Sequence, residues 1–313
     1  MAANTVSPRA ARRAMGAPMQ LSRSFASTLL VAAVAASPAS GDMPRGASSA
    51  TAPFAALGRT PGASAWQEEL GGRLRLVTAP AGPDGQARAA IEIELEDGFK
   101  TYWWNPGPDG IPPQVSFFGS RNVADTRLTL PPPHVFRERT VTVGYTGTVR
   151  FPVEVSVSDP SRPYELAAAG VLGFCADVCV PVSFRFQAGP PADARTMAAN
   201  AAGADQPLVE PSDTMRLDAA RYDPAAGLLQ VMATVPDTDV HLDLVVADPD
   251  GIVLPPAATR MRQLGTEALF TFDLSPRTRL KGGEMLDFTL IVARFGQAGR
   301  IGIQQRLAIE TVE

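Results

Sequence analysis

Cys175 and Cys179 are the only two cysteines among 313 residues, and three positions separate them. They lie in the run Phe174-Cys175-Ala176-Asp177-Val178-Cys179-Val180-Pro181, with apolar residues on both sides and a proline just beyond. A disulfide requires Cα atoms within about 7 Å of each other. Five residues of extended strand would hold them roughly 13 Å apart, so the segment must turn if the sulfurs are to meet. Closing so short a loop is worth only about 2 kcal/mol in chain entropy, which makes a weak staple. A reversible dithiol needs two sulfurs in mutual reach and little more. The residues alone leave both readings open, a structural bridge or a redox pair. A metal centre needs further ligands, and His134 and His241 stand at no recognisable ligand spacing.

The elements that must position this pair read as strands. Leu74-Arg75-Leu76-Val77 and Ile91-Glu92-Ile93-Glu94-Leu95 alternate apolar with polar residues, the period of a half-buried strand. Gly82-Pro83-Asp84-Gly85 between them is turn chemistry. Phe99-Lys100-Thr101-Tyr102-Trp103-Trp104 is aromatic and β-prone, closed by the rigid run Asn105 to Pro113, with Trp103 and Trp104 expected to pack in a core on alternate faces and a ligand-binding role as the alternative. Short strands are expected at Val115–Phe118, Thr126–Leu130, Val149–Val157, Tyr164–Gly173 and Val182–Phe186. The cysteines then fall at the bend of a hairpin. Many short strands without amphipathic helices indicate an all-β protein, a β-sandwich.

Composition sets the boundaries. The expected organisation is a signal peptide over residues 1–40, a flexible leader over 41–65, a first sandwich over 66–187, a linker over 188–212 and a second small β-sandwich over 213–313. Arg9, Arg12, Arg13 and Arg23 precede an apolar run from Phe25 to Ala36 and small residues through Gly41, the layout of a secretory signal. Met19 would open a more compact version of it. The leader is mostly Ala, Gly, Ser, Pro and Thr, too poor in large apolar groups to fold alone. Pro190-Pro191 are placed to begin a short helix over Ala192–Ala202. Beyond it, strands are expected at Leu228–Ala233, Val240–Val246, Ala268–Leu274, Met285–Val292 and Ile301–Ile309, with His241 on a solvent face. No later stretch is apolar for 18 residues, so an exported chain without a transmembrane span after signal removal is expected. A net charge of −4 supplies no basic footprint for nucleic acid.

Residues from about Trp66 to Phe186 resemble the N-terminal periplasmic domain of the thiol:disulfide interchange protein DsbD and its relatives without a membrane domain. The resemblance rests on Thr101-Tyr102-Trp103-Trp104-Asn105-Pro106-Gly107, Leu130-Pro131-Pro132-Pro133-His134, Gly144-Tyr145, Phe151-Pro152-Val153 and the cysteine run. It does not extend to residues 213–313. It implies an immunoglobulin-like sandwich and thiol-disulfide exchange. The partners implied are a separate DsbD- or CcdA-like membrane thiol donor and periplasmic thioredoxin-fold proteins, with no cofactor. By resemblance Cys179 carries the mixed disulfide and Cys175 resolves it, under a cap loop at about Phe136–Tyr145, with Tyr145 as the candidate aromatic shield and a packed core tyrosine as its alternative. Two departures stand out. The family's type member has five residues between its cysteines where this chain has three, and it continues into membrane and thioredoxin-like domains.

No lysine or arginine lies within the cysteine run to lower a thiol pKa, and the charge of Asp177 opposes ionisation. Asp177 is read as a turn residue, with assistance to proton transfer as its functional alternative. The main expectation is an exported thiol-disulfide carrier. The alternative is an envelope binding module in which Cys175–Cys179 is only a staple, and copper handling through scattered methionines is a minor third.

Overall fold

The computed structural model describes residues 62–190, 208–237, 240–247, 252–274, 278–294 and 299–312, and among them there are strands and turns but no helix. The expected signal peptide, nearly all of the leader and the helix at Ala192–Ala202 lie outside the described residues.

The first half contains β1 (Gln67–Glu69), β2 (Gly72–Thr78), β3 (Gln86–Leu95), β4 (Thr101–Tyr102), β5 (Gln114–Ser116), β6 (Val123–Leu128), β7 (His134–Arg137), β8 (Val141–Tyr145), β9 (Thr148–Val157), β10 (Leu166–Cys175) and β11 (Cys179–Ala188). They form a five-stranded sheet ordered β1-β2-β3-β9-β6 and two three-stranded sheets, β11-β10-β5 and β4-β8-β7. Alternation explains the packing. In β11, Val182, Phe184, Phe186 and Ala188 point inward while Ser183, Arg185 and Gln187 face out. These side chains meet Leu74, Leu76, Ile91, Ile93, Phe151 and Val153 from the larger sheet in one core. Trp103, 2% exposed, belongs to that core, and Trp104 packs against it. Gly62–Ala65, placed in the leader by composition, already join the sheet: Ala63 pairs with Val77, and the Ser64 amide donates to Leu76. Backbone pairing needs no large side chain, which is why composition misplaced these residues.

The second half contains β12 (Arg216–Asp223), β13 (Leu228–Thr234), β14 (Val240–Ala247), β15 (Arg260–Leu264), β16 (Glu267–Asp273), β17 (Met285–Arg294) and β18 (Arg300–Thr311). They make one continuous sheet ordered β14-β17-β18-β12-β13-β16-β15, where five or so strands of a small sandwich were expected. The sheet curls on itself. β16 and β17 are four strands apart in that order, about 19 Å in a flat sheet, yet the rings of Phe272 and Phe288 lie 6.2 Å apart across the shared core.

β14 and β17 are buried on both faces. Leu244, Val246, Leu290 and Val292 point into the second core, while Val245 and Ile291 between them point into the first. The two halves are therefore joined by an apolar contact and not merely tethered. Polar ties flank it. Arg137 on β7 pairs with Asp243 on β14 at 2.6 Å, and Arg300 at the start of β18 donates to the Pro133 carbonyl and to Nε2 of His134. His241 is exposed, as expected, with Nε2 2.9 Å from Asp243.

Candidate functional site

β10 and β11 run as an antiparallel ladder of ten pairs whose last pair is Cys175 opposite Cys179. Ala176, Asp177 and Val178 form the exposed three-residue turn that joins them. The turn brings the two Cα atoms to 4.1 Å, and the sulfurs are joined in a disulfide. The hairpin and its bend are where strand alternation on either side of the motif put them.

The two sulfurs do not share one environment. Cys175 is 2% exposed, and its backbone is paired on both sides. Opposite Cys179 it closes the ladder, and on its other side it exchanges hydrogen bonds of 2.8 and 2.9 Å with Lys100. Cys179 is half-buried at the mouth of the hairpin. Its sulfur lies 3.4 Å from the Tyr102 hydroxyl and 3.1 Å from the Asp109 carbonyl oxygen. A disulfide sulfur has no proton, so the phenol is the donor to it and the carbonyl contact is a close approach only. Once the bridge is reduced, the Cys179 thiol can donate to that carbonyl.

These two neighbours act on Cys179 in opposite senses. A phenol donating to sulfur favours the thiolate, whereas a carbonyl accepting from it favours the thiol. Tyr102 is suited to its part. Its side chain is 5% exposed, and burial, helped by the charges of Asp109 and Glu138, pushes its pKa above the ordinary phenol value, so it stays a donor. The ammonium of Lys100 is committed elsewhere, 2.7 Å from Glu138 and over the face of Phe136.

What covers the sulfurs also differs from expectation. Phe136–Tyr145, expected as a cap loop, is mostly the β7–β8 hairpin. Tyr145, expected as the shield, is 2% exposed. Its hydroxyl donates to the Pro131 carbonyl at 2.6 Å and its ring packs on Phe151, so burial commits it to the core. The segment touching Cys179 is instead the loop between β4 and β5, through Asp109. Ile111 from the same loop sits over Gly173, where a Cβ would come within 2.8 Å of it. The hairpin holds this loop from behind, because the Val143 amide donates to the Pro106 carbonyl and the Thr140 hydroxyl to the Asp109 carboxylate. Asp177 is exposed at the turn apex.

Tyr102 and Asp109 were missed at the sequence level. Tyr102 was placed on a strand with its aromatic neighbours, and Asp109 touches sulfur through its backbone, which no residue type announces. Among the described residues no group of three or more His, Cys, Asp or Glu side chains is placed to hold a metal ion.

Residues 75–190 match the family described as thiol:disulfide interchange protein DsbD, N-terminal. The segment includes both cysteines, Tyr102, Asp109 and strands β3 to β11, so the resemblance read from the motifs holds for this part of the chain. No curated protein matches. The N-terminal periplasmic domain of ScsB from Proteus mirabilis is similar in structure, with a TM-score of 0.59 at 19% identity over 79% of this chain and 99% of that one. That share is far larger than the DsbD-matching segment, so the likeness in fold reaches into the curled sheet, where the sequence motifs found none. The MSCRAMM ACE of Enterococcus faecalis aligns over 79% of this chain and 95% of its own, but a TM-score of 0.15 at 6% identity carries no argument.

Proposed function

We propose that this protein is an exported, periplasmic thiol-disulfide interchange protein that relays electrons through Cys175 and Cys179. The observation that carries the reading is the asymmetry of the pair, one sulfur at the hairpin mouth beside a phenol donor and the other residue closed in by backbone on both sides.

In the reductive direction the Cys179 thiolate attacks a partner disulfide, forms a mixed disulfide and releases one partner thiolate. Cys175, deprotonated, then attacks the Cys179 sulfur. The Cys175–Cys179 bridge forms again and the second partner thiolate leaves, so two electrons have passed to the partner and the thiolates take protons from water. A dithiol on a separate membrane protein restores the reduced pair by the same exchange in reverse. The acceptors that fit are thioredoxin-fold proteins of the periplasm, whose own cysteine pairs are exposed disulfides. Among the described residues no helix is long and apolar enough to cross a membrane.

The test is trapping. Cys175→Ala leaves Cys179 without its resolving thiol, so a mixed disulfide through Cys179 should accumulate with a thioredoxin-fold protein and be seen by mass spectrometry. Absence of any adduct, together with a reduction potential below about −300 mV, would leave the bridge a structural staple.

A further inference from the structure

We infer that the curled seven-stranded sheet braces the loop over Cys179, holding the Asp109 carbonyl against the sulfur and so setting how readily the disulfide is opened. The inference deepens the thiol-disulfide reading, because it concerns control of the same sulfur.

The brace begins at Asn105. Its side-chain amide donates to two backbone carbonyls of the second half, Val246 at 3.1 Å and Leu254 at 3.2 Å. Only three residues separate this anchor from Asp109. Between them Gly107 adopts φ +88°, and a Cβ there would meet the Val141 carbonyl at 2.3 Å and Pro256 at 3.2 Å. The loop is thus pressed between β8 on one side and the second half on the other, at a point where only glycine fits. The second half also holds the β7–β8 hairpin, through Arg137 to Asp243 and through Arg300 to Pro133 and His134. That hairpin in turn holds the loop at Pro106 and Asp109. Two routes therefore lead from the second half to the same carbonyl, one direct and one through the hairpin.

The chemical consequence follows from the dipole. A carbonyl oxygen 3.1 Å from sulfur occupies one approach to it and turns its negative end toward an incoming thiolate. Loosening the loop removes that obstacle while leaving Tyr102 in place to favour the thiolate form of Cys179.

The experiment measures the rate at which dithiothreitol reduces the disulfide in the full chain, by quenching with an alkylating reagent and weighing the products. Asn105→Ala should speed reduction about fivefold or more, since an approach governed by local opening follows the cost of that opening. The comparison variant is Asn122→Ala, whose side chain ties the Asp159 and Arg162 carbonyls away from the cysteines. It should lower stability yet leave the reduction rate within about twofold of the parent. Should Asn105→Ala not fold, Arg137→Ala tests the second route and should speed reduction at least about twofold. Parent-like rates in the folded variants, or equal acceleration by Asn122→Ala, would overturn the brace. Dithiothreitol is no protein partner, so this result is independent of whether the Cys175→Ala trap succeeds.

Discussion

The Cys179 sulfur lies between a phenol that favours its anion and a carbonyl that favours its protonated form, so its reactivity is set by two contacts of opposite sign. Removing the phenol proton should tip the balance. In a Cys175→Ser background, Tyr102→Phe should disfavour the Cys179 thiolate, and alkylation at pH 7 should slow about three- to tenfold. Tyr145→Phe is the contrasting change. It leaves the buried Pro131 carbonyl without its donor and should cost about 1–2 kcal/mol in denaturant unfolding, with alkylation unchanged. Equal effects of the two variants on alkylation would remove Tyr102 from its assigned part.

Among the elements, β3 shows what holds the larger sheet flat against the core. Glu92 points to the face opposite Ile91 and Ile93, where Arg75 of β2 and Arg150 of β9 close over it, leaving its side chain 6% exposed. Burial pushes its pKa up, but hydrogen bonds and charge from Arg150 and Arg75 outweigh this and hold the carboxyl below its ordinary range. A carboxylate with a depressed pKa contributes stability that is present above the ordinary value and lost as pH falls through the folded one. Glu92→Gln should therefore lower stability by about 1–3 kcal/mol at neutral pH, with the deficit shrinking below about pH 4 in urea melts.

The same strand shows how much was legible. Ile91 and Ile93 announce a buried face by alternation, and the cysteine hairpin was readable from alternation on both sides of the turn. β7 and β8 were not. Val141-Thr142-Val143-Gly144-Tyr145 is β-prone, but the resemblance directed it to a loop. Leu244-Val245-Val246 and Leu290-Ile291-Val292 held a signal that was passed over. Uninterrupted apolar runs within strands indicate burial on both faces, and these two are where the second half packs on the first. The contacts of Tyr102 and Asp109 with sulfur arise only when the loop folds back over the ladder, and local pattern does not encode them.

At the scale of the whole molecule, the seam between the halves carries a titratable group. His134 is half-buried and accepts from Arg300, and burial first, then the arginine charge, lower its pKa to about 4. Asp243 and Tyr145 lie near the same guanidinium. Between the ordinary histidine value and about 4 the unfolded chain binds the proton and the folded one does not. The contribution of this site is thus complete above about pH 6.5 and is lost as pH falls toward 4, on the order of 1–2 kcal/mol after allowance for its partial exposure. His134→Gln keeps an acceptor for Arg300 but does not titrate, so its unfolding free energy should be flatter than the parent's over that interval.

The disulfide stands at the open end of its ladder, with nine further backbone pairs behind it, from Phe174 opposite Val180 to Leu166 opposite Ala188. Breaking the sulfur bond releases nothing that those pairs do not already hold. Oxidised and reduced chains can therefore share one scaffold, and a redox cycle here demands reorganisation of a single turn instead of the refolding of a domain.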